Sequence, residues 1–285
     1  MIDRTFNDIP DGKVNDADQQ SFLVSLGWSR GDRWNDLLSS KRVLIISEAG
    51  AGKTYECRKQ SERLWAKGEP AFFVELAALA TEDLRNLLDA DEEDRLDRWL
   101  VSQSEEATFF LDSIDELKLT MGSFERALKR LKKCIGDQLH RARFVITTRP
   151  IPFDEQLVRN LLPVPTASSS ESDEEVFAKI AMREHRDKHD NIDKNQSPDW
   201  KTVALMPFSD EQIVQFCRHQ GVSDPTLLFE DLRRRNALEF ARRPQDLIEL
   251  CADWREHKRI RTHREQVATN VRVKLLPRED RAEPA

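Results

Sequence analysis

The chain has 285 residues, of which 34% are charged and 39% hydrophobic, and its formal net charge is −7. That length admits one large or two modest cores. No apolar run approaches the ~20 residues that cross a bilayer, and the charged start Met1-Ile2-Asp3-Arg4 lacks the apolar stretch of a secretory leader. A helix-rich, cytoplasmic protein with no membrane partner is the expectation. The negative balance provides no general attraction to nucleic acid or anionic lipid. Cys57, Cys134, Cys217 and Cys251 lie in apolar stripes without CxxC spacing and read as buried thiols in a reducing compartment.

Residues 1–40 form a polar lead-in with an amphipathic patch at Trp28, Trp34, Leu37 and Leu38. Four continuous apolar runs follow: Val43–Ile46, Ala71–Val74, Thr108–Leu111 and Phe144–Thr147. Such runs mark parallel strands buried on both faces. Helical stretches separate them. Thr54–Lys67 ends at Gly68, Glu82–Val101 carries leucines and Trp99 on one face, and Ser123–Leu139 carries Phe124, Leu128, Leu131 and Ile135 behind a Ser123 cap. The alternation predicts right-handed βαβ units over 41–164, an α/β core whose parallel sheet is sandwiched by helices. Residues 165–200 are rich in Ser, Asp and Lys and read as a flexible insertion or a poorly packed helix. A small all-α domain with a charged tail is predicted for 201–285. Its signals are a capping box at Ser209–Gln212, Pro225 and Pro244 opening helices, and Leu247, Leu250, Cys251 and Trp254 along one face.

The chemistry concentrates at Ser47-Glu48-Ala49-Gly50-Ala51-Gly52-Lys53-Thr54, directly after the first strand and leading into a helix. That context is what a phosphate-binding P-loop requires. Gly50 and Gly52 lack a Cβ, so the loop can curl and aim successive N–H groups at an anion. The helix beginning near Lys53 adds the positive end of its dipole. Lys53 is expected at the β- and γ-phosphates, and the Thr54 hydroxyl on Mg²⁺. Ser47 replaces the usual first glycine; a small serine is tolerable in the turn after the strand, with strain in the loop as its expected cost. Asp112, ending an apolar strand, is expected to hold Mg²⁺ through water. Asp115 and Glu116 follow at a spacing that fits a general base, and the residues leave open which of the two faces the γ-phosphate. Arg149, after a strand ending Thr147-Thr148, is placed to sense the γ-phosphate.

These segments resemble the NACHT family of P-loop NTPases, in the STAND class of signal-transducing ATPases. Glu48–Thr54 is similar to its Gly-Glu-x-Gly-x-Gly-Lys-Thr loop, with Ser47 in place of the first glycine. Asp112-Ser113-Ile114-Asp115-Glu116 resembles its Asp-Gly-x-Asp-Glu motif, and Thr147-Thr148-Arg149-Pro150 its strand ending Thr-Ser-Arg-Pro. Arg243-Pro244-Gln245-Asp246-Leu247 is similar to its adenine-contacting proline motif, which implies a base contact for Pro244. The resemblance spans about residues 34–265. It implies a switch that binds ATP or ADP with magnesium, nucleotide-dependent self-association, and an effector or sensor partner. It further implies a larger signalling protein of which this chain is a fragment, and bacterial members are often antiviral defence components.

The same residues admit other functions. A nucleotide-binding interaction module with negligible turnover uses Lys53, Thr54 and Asp112 but needs no catalytic acid. An AAA-type ATPase predicts a ring and an arginine from a neighbouring subunit. Asp187-Lys188-His189-Asp190 follows no strand, which argues against a guanine reader. His185 and His189 sit at metal-capable spacing among charged neighbours and read as a solvated face. The basic runs at Arg233–Arg235 and Arg255–Arg264 are interrupted by acids and lack an aromatic platform, so nucleic acid is not favoured as a partner.

Overall fold

The computed structural model of the chain describes residues 2–9, 31–112, 121–150, 155–164 and 200–260. They fall into two compact units. The larger comprises Thr5–Ala49 and Lys53–Met206; the smaller comprises Met1–Arg4, Gly50–Gly52 and Pro207–Ala285.

The larger unit is an α/β sandwich. In chain order its elements are β1 (Phe6–Asp8), α1 (Trp34–Leu37), β2 (Arg42–Ile46), α2 (Lys53–Ala66), β3 (Ala71–Glu75) and α3 (Leu76–Leu79). A 3-10 turn at Leu84–Leu87 precedes α4 (Ala90–Val101), β4 (Ala107–Asp112) and α5 (Met121–Ile135). A second 3-10 turn, Gly136–Arg141, leads to β5 (Ala142–Thr148), α6 (Glu155–Leu161) and β6 (Lys201–Leu205). The six strands lie in the order β1-β6-β2-β5-β4-β3. All neighbouring pairs are parallel except β1 with β6. The four strands expected from the apolar runs are present, each a residue or more longer. β2 and β4 are buried along their whole length, which is why they read as unbroken apolar runs.

Local pattern misplaced several elements. It assigns Lys201–Leu205 to the helical region, whereas this segment is β6, parallel to β2 with Ile45 opposite Val203. It leaves Phe6–Asp8 in the lead-in, whereas these residues pair with β6 as an antiparallel edge strand. Both strands owe their conformation to partners distant in sequence, and five or three residues carry too little period to announce it. The helical stretch from Glu82 breaks before Asp89, which caps α4 in a reciprocal box with Glu92. Ser123 is not a cap, because α5 already begins at Met121. Gly68 does close α2, with φ +81 and its amide on the Trp65 carbonyl.

The sheet core is an aromatic ladder. Phe72, Phe109 and Phe144 stand opposite one another on β3, β4 and β5. Their rings stack with centroids 5.1 and 5.6 Å apart. Such pairs add about 0.5–1.5 kcal/mol each beyond their buried area. Trp99 of α4 meets Phe109 edge-on and is fully buried; Trp65 of α2 meets Phe72. Trp34 and Leu37 of the lead-in patch are also core, and Trp34 Nε1 donates to Glu56 Oε2 at 3.2 Å.

At the amino end of β2 the guanidinium of Arg42 lies 4.8 Å from the Phe144 ring centroid, fully buried. It donates to the carbonyls of Lys41, Leu139, Ala142, Leu162 and Pro163 at 2.6–3.3 Å. Burial lowers its pKa to about 10, which leaves it charged at neutral pH. One cation thus ties three chain segments beneath the sheet.

The smaller unit holds α7 (Asp210–His219), α8 (Pro225–Arg234), α9 (Leu238–Ala241) and α10 (Pro244–His257). Ser209 and Gln212 form the expected capping box, while Pro225 and Pro244 occupy first turns. Ile213, Cys217, Leu228, Leu232, Leu247 and Cys251 fill the core. All four cysteines are free thiols, and Cys217 and Cys251 lie with sulfurs 3.6 Å apart. In the Arg233–Arg235 run, Arg234 and Arg235 both pair with Asp231 on their own helix. Among the described residues no helix is long and apolar enough to cross a membrane.

Arg42→Met keeps much of the side chain's length but removes every donor to the five carbonyls. It is expected to destabilise the fold by about 2–4 kcal/mol, measurable as a lower urea midpoint with an unchanged slope.

Candidate phosphate-binding site

Parallel strands deliver their carboxyl ends to one edge of a sheet, and ligands of open α/β folds bind outside that edge. Here β2 ends at Ile46, β4 at Asp112 and β5 at Thr148, with β5 lying between the other two. Residues 47–52 leave β2 as a loop, and α2 starts at Lys53.

Gly50 and Gly52 take φ of +76° and +94°, a region other residues seldom adopt. Space adds a second reason for glycine at 50, where a Cβ would stand 3.1 Å from Gln245 Oε1. Ser47 does not show the expected strain. Its φ is not positive, and its amide donates to the Thr148 carbonyl at 3.1 Å, extending the β2–β5 ladder by one residue. A side chain is therefore compatible with that position. The Ser47 hydroxyl is buried, with no hydrogen-bond partner among the described residues.

Lys53 folds back over its own loop, where Nζ donates to the carbonyls of Ser47 at 2.8 Å and Glu48 at 3.1 Å. Asp112 is 2% exposed and accepts two hydroxyl hydrogen bonds. Thr54 Oγ1 donates to its Oδ2 and Thr147 Oγ1 to its Oδ1, both at 2.6 Å. Each carboxylate oxygen thus has a partner, which is what burial of such a group demands. The charge of Asp112 is felt one turn along α2. Burial first, then the carboxylates of Asp112 and Glu56, push the Cys57 thiol well up against the opposing pull of Lys53. That makes Cys57 an inert, structural thiol.

The sequence names Thr147 only within the strand end before Arg149 and gives it no role of its own. Its signal was a hydroxyl residue ending an apolar strand, which became legible once β5 was known to neighbour β4. Arg149 follows β5 directly at the same edge, its carbonyl accepting from Thr148 Oγ1 at 3.0 Å. Asp115 and Glu116 lie outside the described residues, as do His185 and His189. Pro244 opens α10 in the smaller unit, which also contains Gly50–Gly52. A Cβ on Gly52 would lie 3.5 Å from Pro244 Cγ, and the Gln245 amide donates to the Gly50 carbonyl at 3.3 Å.

The residues fit a polyphosphate with a hard divalent cation. Positive-φ glycines and a helix amino terminus are each features that receive phosphate oxygens, and the Lys53 ammonium folds over the Ser47 and Glu48 carbonyls. Thr54 and Asp112 offer adjacent oxygen donors. Among the described residues no three His, Cys, Asp or Glu side chains gather as a metal cage. Magnesium suits such a sparse donor set, because it keeps most of its waters.

No family model and no curated protein matches the chain. Among solved structures it is similar to AMPPCP-bound DnaA from Aquifex aeolicus, with 12% identity and a TM-score of 0.43 over 93% of this chain and 67% of that one. It is similar to the FIGL-1 AAA domain in complex with ADP, with 16% identity and a TM-score of 0.35 over 97% and 89% of the two chains. A DNA replication initiation factor gives 13% identity and a TM-score of 0.35 over 94% and 62%.

Two substitutions check the geometry of the loop. Ser47→Ala removes a buried hydroxyl that lacks a partner and is expected to leave stability within about 0.5 kcal/mol of the parent or above it. Thr147→Val orphans Asp112 Oδ1 and is expected to cost about 1–3 kcal/mol. Thermal denaturation of the two variants side by side measures both.

Proposed function

We propose that the chain binds ATP with magnesium at Ser47–Thr54 and works as a slowly hydrolysing switch of the NACHT type within the STAND class. The observation that carries this reading is the Thr54–Asp112–Thr147 arrangement beside a loop with glycines at φ +76° and +94°. It places a hydroxyl and a carboxylate together, at the edge where a P-loop leads into its helix.

In this reading the amides of residues 49–54 receive the β- and γ-phosphates. Lys53 exchanges the Ser47 and Glu48 carbonyls for phosphate oxygens, so its resting contacts keep the ammonium partnered until nucleotide arrives. Thr54 and Asp112 would hold a magnesium ion, which would supply charge neutralisation to the phosphates. Thr147 would keep its hydrogen bond to the Asp112 carboxylate when the Thr54 oxygen served as a metal ligand. Glu116 or Asp115 takes the proton of the attacking water, Arg149 faces the charge that develops, and Pro244 lies against the adenine. ATP-dependent self-association and a separate effector or sensor complete the switch.

Bound-nucleotide content and phosphate release of the parent, Lys53→Ala, Asp112→Asn and Glu116→Gln test the assignment. Lys53→Ala is expected to lose at least about tenfold in ATP affinity, the loss of one charged hydrogen-bonding partner. Asp112→Asn should raise the magnesium concentration needed for binding. Glu116→Gln should bind ATP normally while turnover falls about 10²-fold or more, the scale of a lost general base. Turnover unchanged in Lys53→Ala would overturn the site. Parent and Glu116→Gln both bound to ATP without measurable turnover would instead make the protein a nucleotide-holding module.

A further inference from the structure

A phosphate cradle works only if its amides point inward, and a planar trans peptide carries its C=O and N–H on opposite sides. Each amide is therefore aimed by whatever holds the carbonyl of the same peptide. In this loop the Gly50 carbonyl accepts from the Gln245 amide at 3.3 Å, which orients the Ala51 N–H. The Ala51 carbonyl accepts from Arg4 Nη1 at 3.1 Å, which orients the N–H of Gly52. That second peptide is the one most prone to turn over, because it is followed by a glycine free to take either sign of φ.

Arg4 is built for a fixed role rather than for solvent. It is 1% exposed, and its guanidinium lies 4.5 Å from the centroid of the Phe208 ring. Phe208 is itself tethered by its amide to the Arg242 carbonyl at 2.9 Å. Arg4 Nη1 would also stand 3.5 Å from a Cβ on Gly52, so the guanidinium sits directly against the peptide it orients. Arg4, Gly50–Gly52, Phe208 and Gln245 all fall in the smaller unit.

We infer that Arg4 is a positioning residue of the phosphate loop: by holding the Ala51 carbonyl from outside, it keeps the Gly52 amide facing the phosphates. The inference rests on the reading of Ser47–Thr54 as an ATP site. Arg4 touches the loop and not the nucleotide, so its removal weakens the phosphate part of binding in particular.

Titrations of the full chain with ATP and with inorganic tripolyphosphate, for the parent, Arg4→Met and Arg4→Lys, test it. Thermal denaturation without nucleotide runs in parallel. Arg4→Met, which keeps the length and loses the donor, is expected to bind ATP and tripolyphosphate about tenfold more weakly, by the same factor for both. Arg4→Lys, which retains one charged donor, should recover most of that loss. Binding of both probes by a folded Arg4→Met at parental affinity would overturn the positioning role. So would a loss for ATP alone, which would place Arg4 at the base or sugar. If Arg4→Met does not fold, Arg4→Gln takes its place, with a loss of about fivefold or more expected and parental affinity again overturning the role. Failure of the parent to bind either probe, or parental binding by Lys53→Ala, is a different result: it removes the ATP site itself and this inference with it.

Discussion

A carboxylate that is 98% withdrawn from water has to be given hydrogen bonds by the protein, and at Asp112 two threonine hydroxyls provide them. The two donors come from different elements. Thr54 belongs to the first turn of α2 and Thr147 to the end of β5, so satisfying one side chain on β4 fixes three elements at the same sheet edge. Much of the site geometry follows from this. With the start of α2 held against β4, the loop after Ile46 has both ends set, and six residues must turn from strand to helix between them. Positive φ at Gly50 and Gly52 is how the chain makes that turn.

The scaffold that holds this edge is apolar above all. Phe72, Phe109 and Phe144 stack across three strands, and Trp99 closes on the middle ring. At the opposite end of β2, Arg42 gathers five carbonyls, of which those of Lys41 and Leu139 also accept backbone amides. A rigid sheet lets a loop keep left-handed residues and an inward-folded ammonium, because the ends of the loop cannot relax to relieve them.

The polar groups of the loop are held in two ways. Lys53 rests on the Ser47 and Glu48 carbonyls, and the Thr54 hydroxyl rests on Asp112. Both contacts are charge-assisted, an ammonium on carbonyls and a hydroxyl on a carboxylate. The carbonyls of Gly50 and Ala51, by contrast, are held by donors that need not move. The loop therefore combines side chains that bond to its own carbonyls or to β4 with carbonyls held by donors from other segments.

Much of this was legible without coordinates. The four apolar runs are strands because a strand covered on both faces has no polar positions, and that leaves a mark any reader of the chain can find. A loop turning on Gly50 and Gly52 between strand and helix, and an acid ending the β4 run, follow from type and spacing, since a tight turn calls for residues that accept positive φ. The Ser209 cap and the first-turn residues Pro225 and Pro244 are local chemistry and were legible for the same reason. Tertiary structure alone decided what depends on distant partners. It made Phe6–Asp8 and Lys201–Leu205 strands by pairing them with each other and with β2. It gave Ser47 a conformation in which a serine is unstrained, set Thr147 beside Asp112, and placed Arg4 on the Ala51 carbonyl. A residue's type states what it can bind; only the fold brings residues 4 and 51, or 54, 112 and 147, within reach of one another.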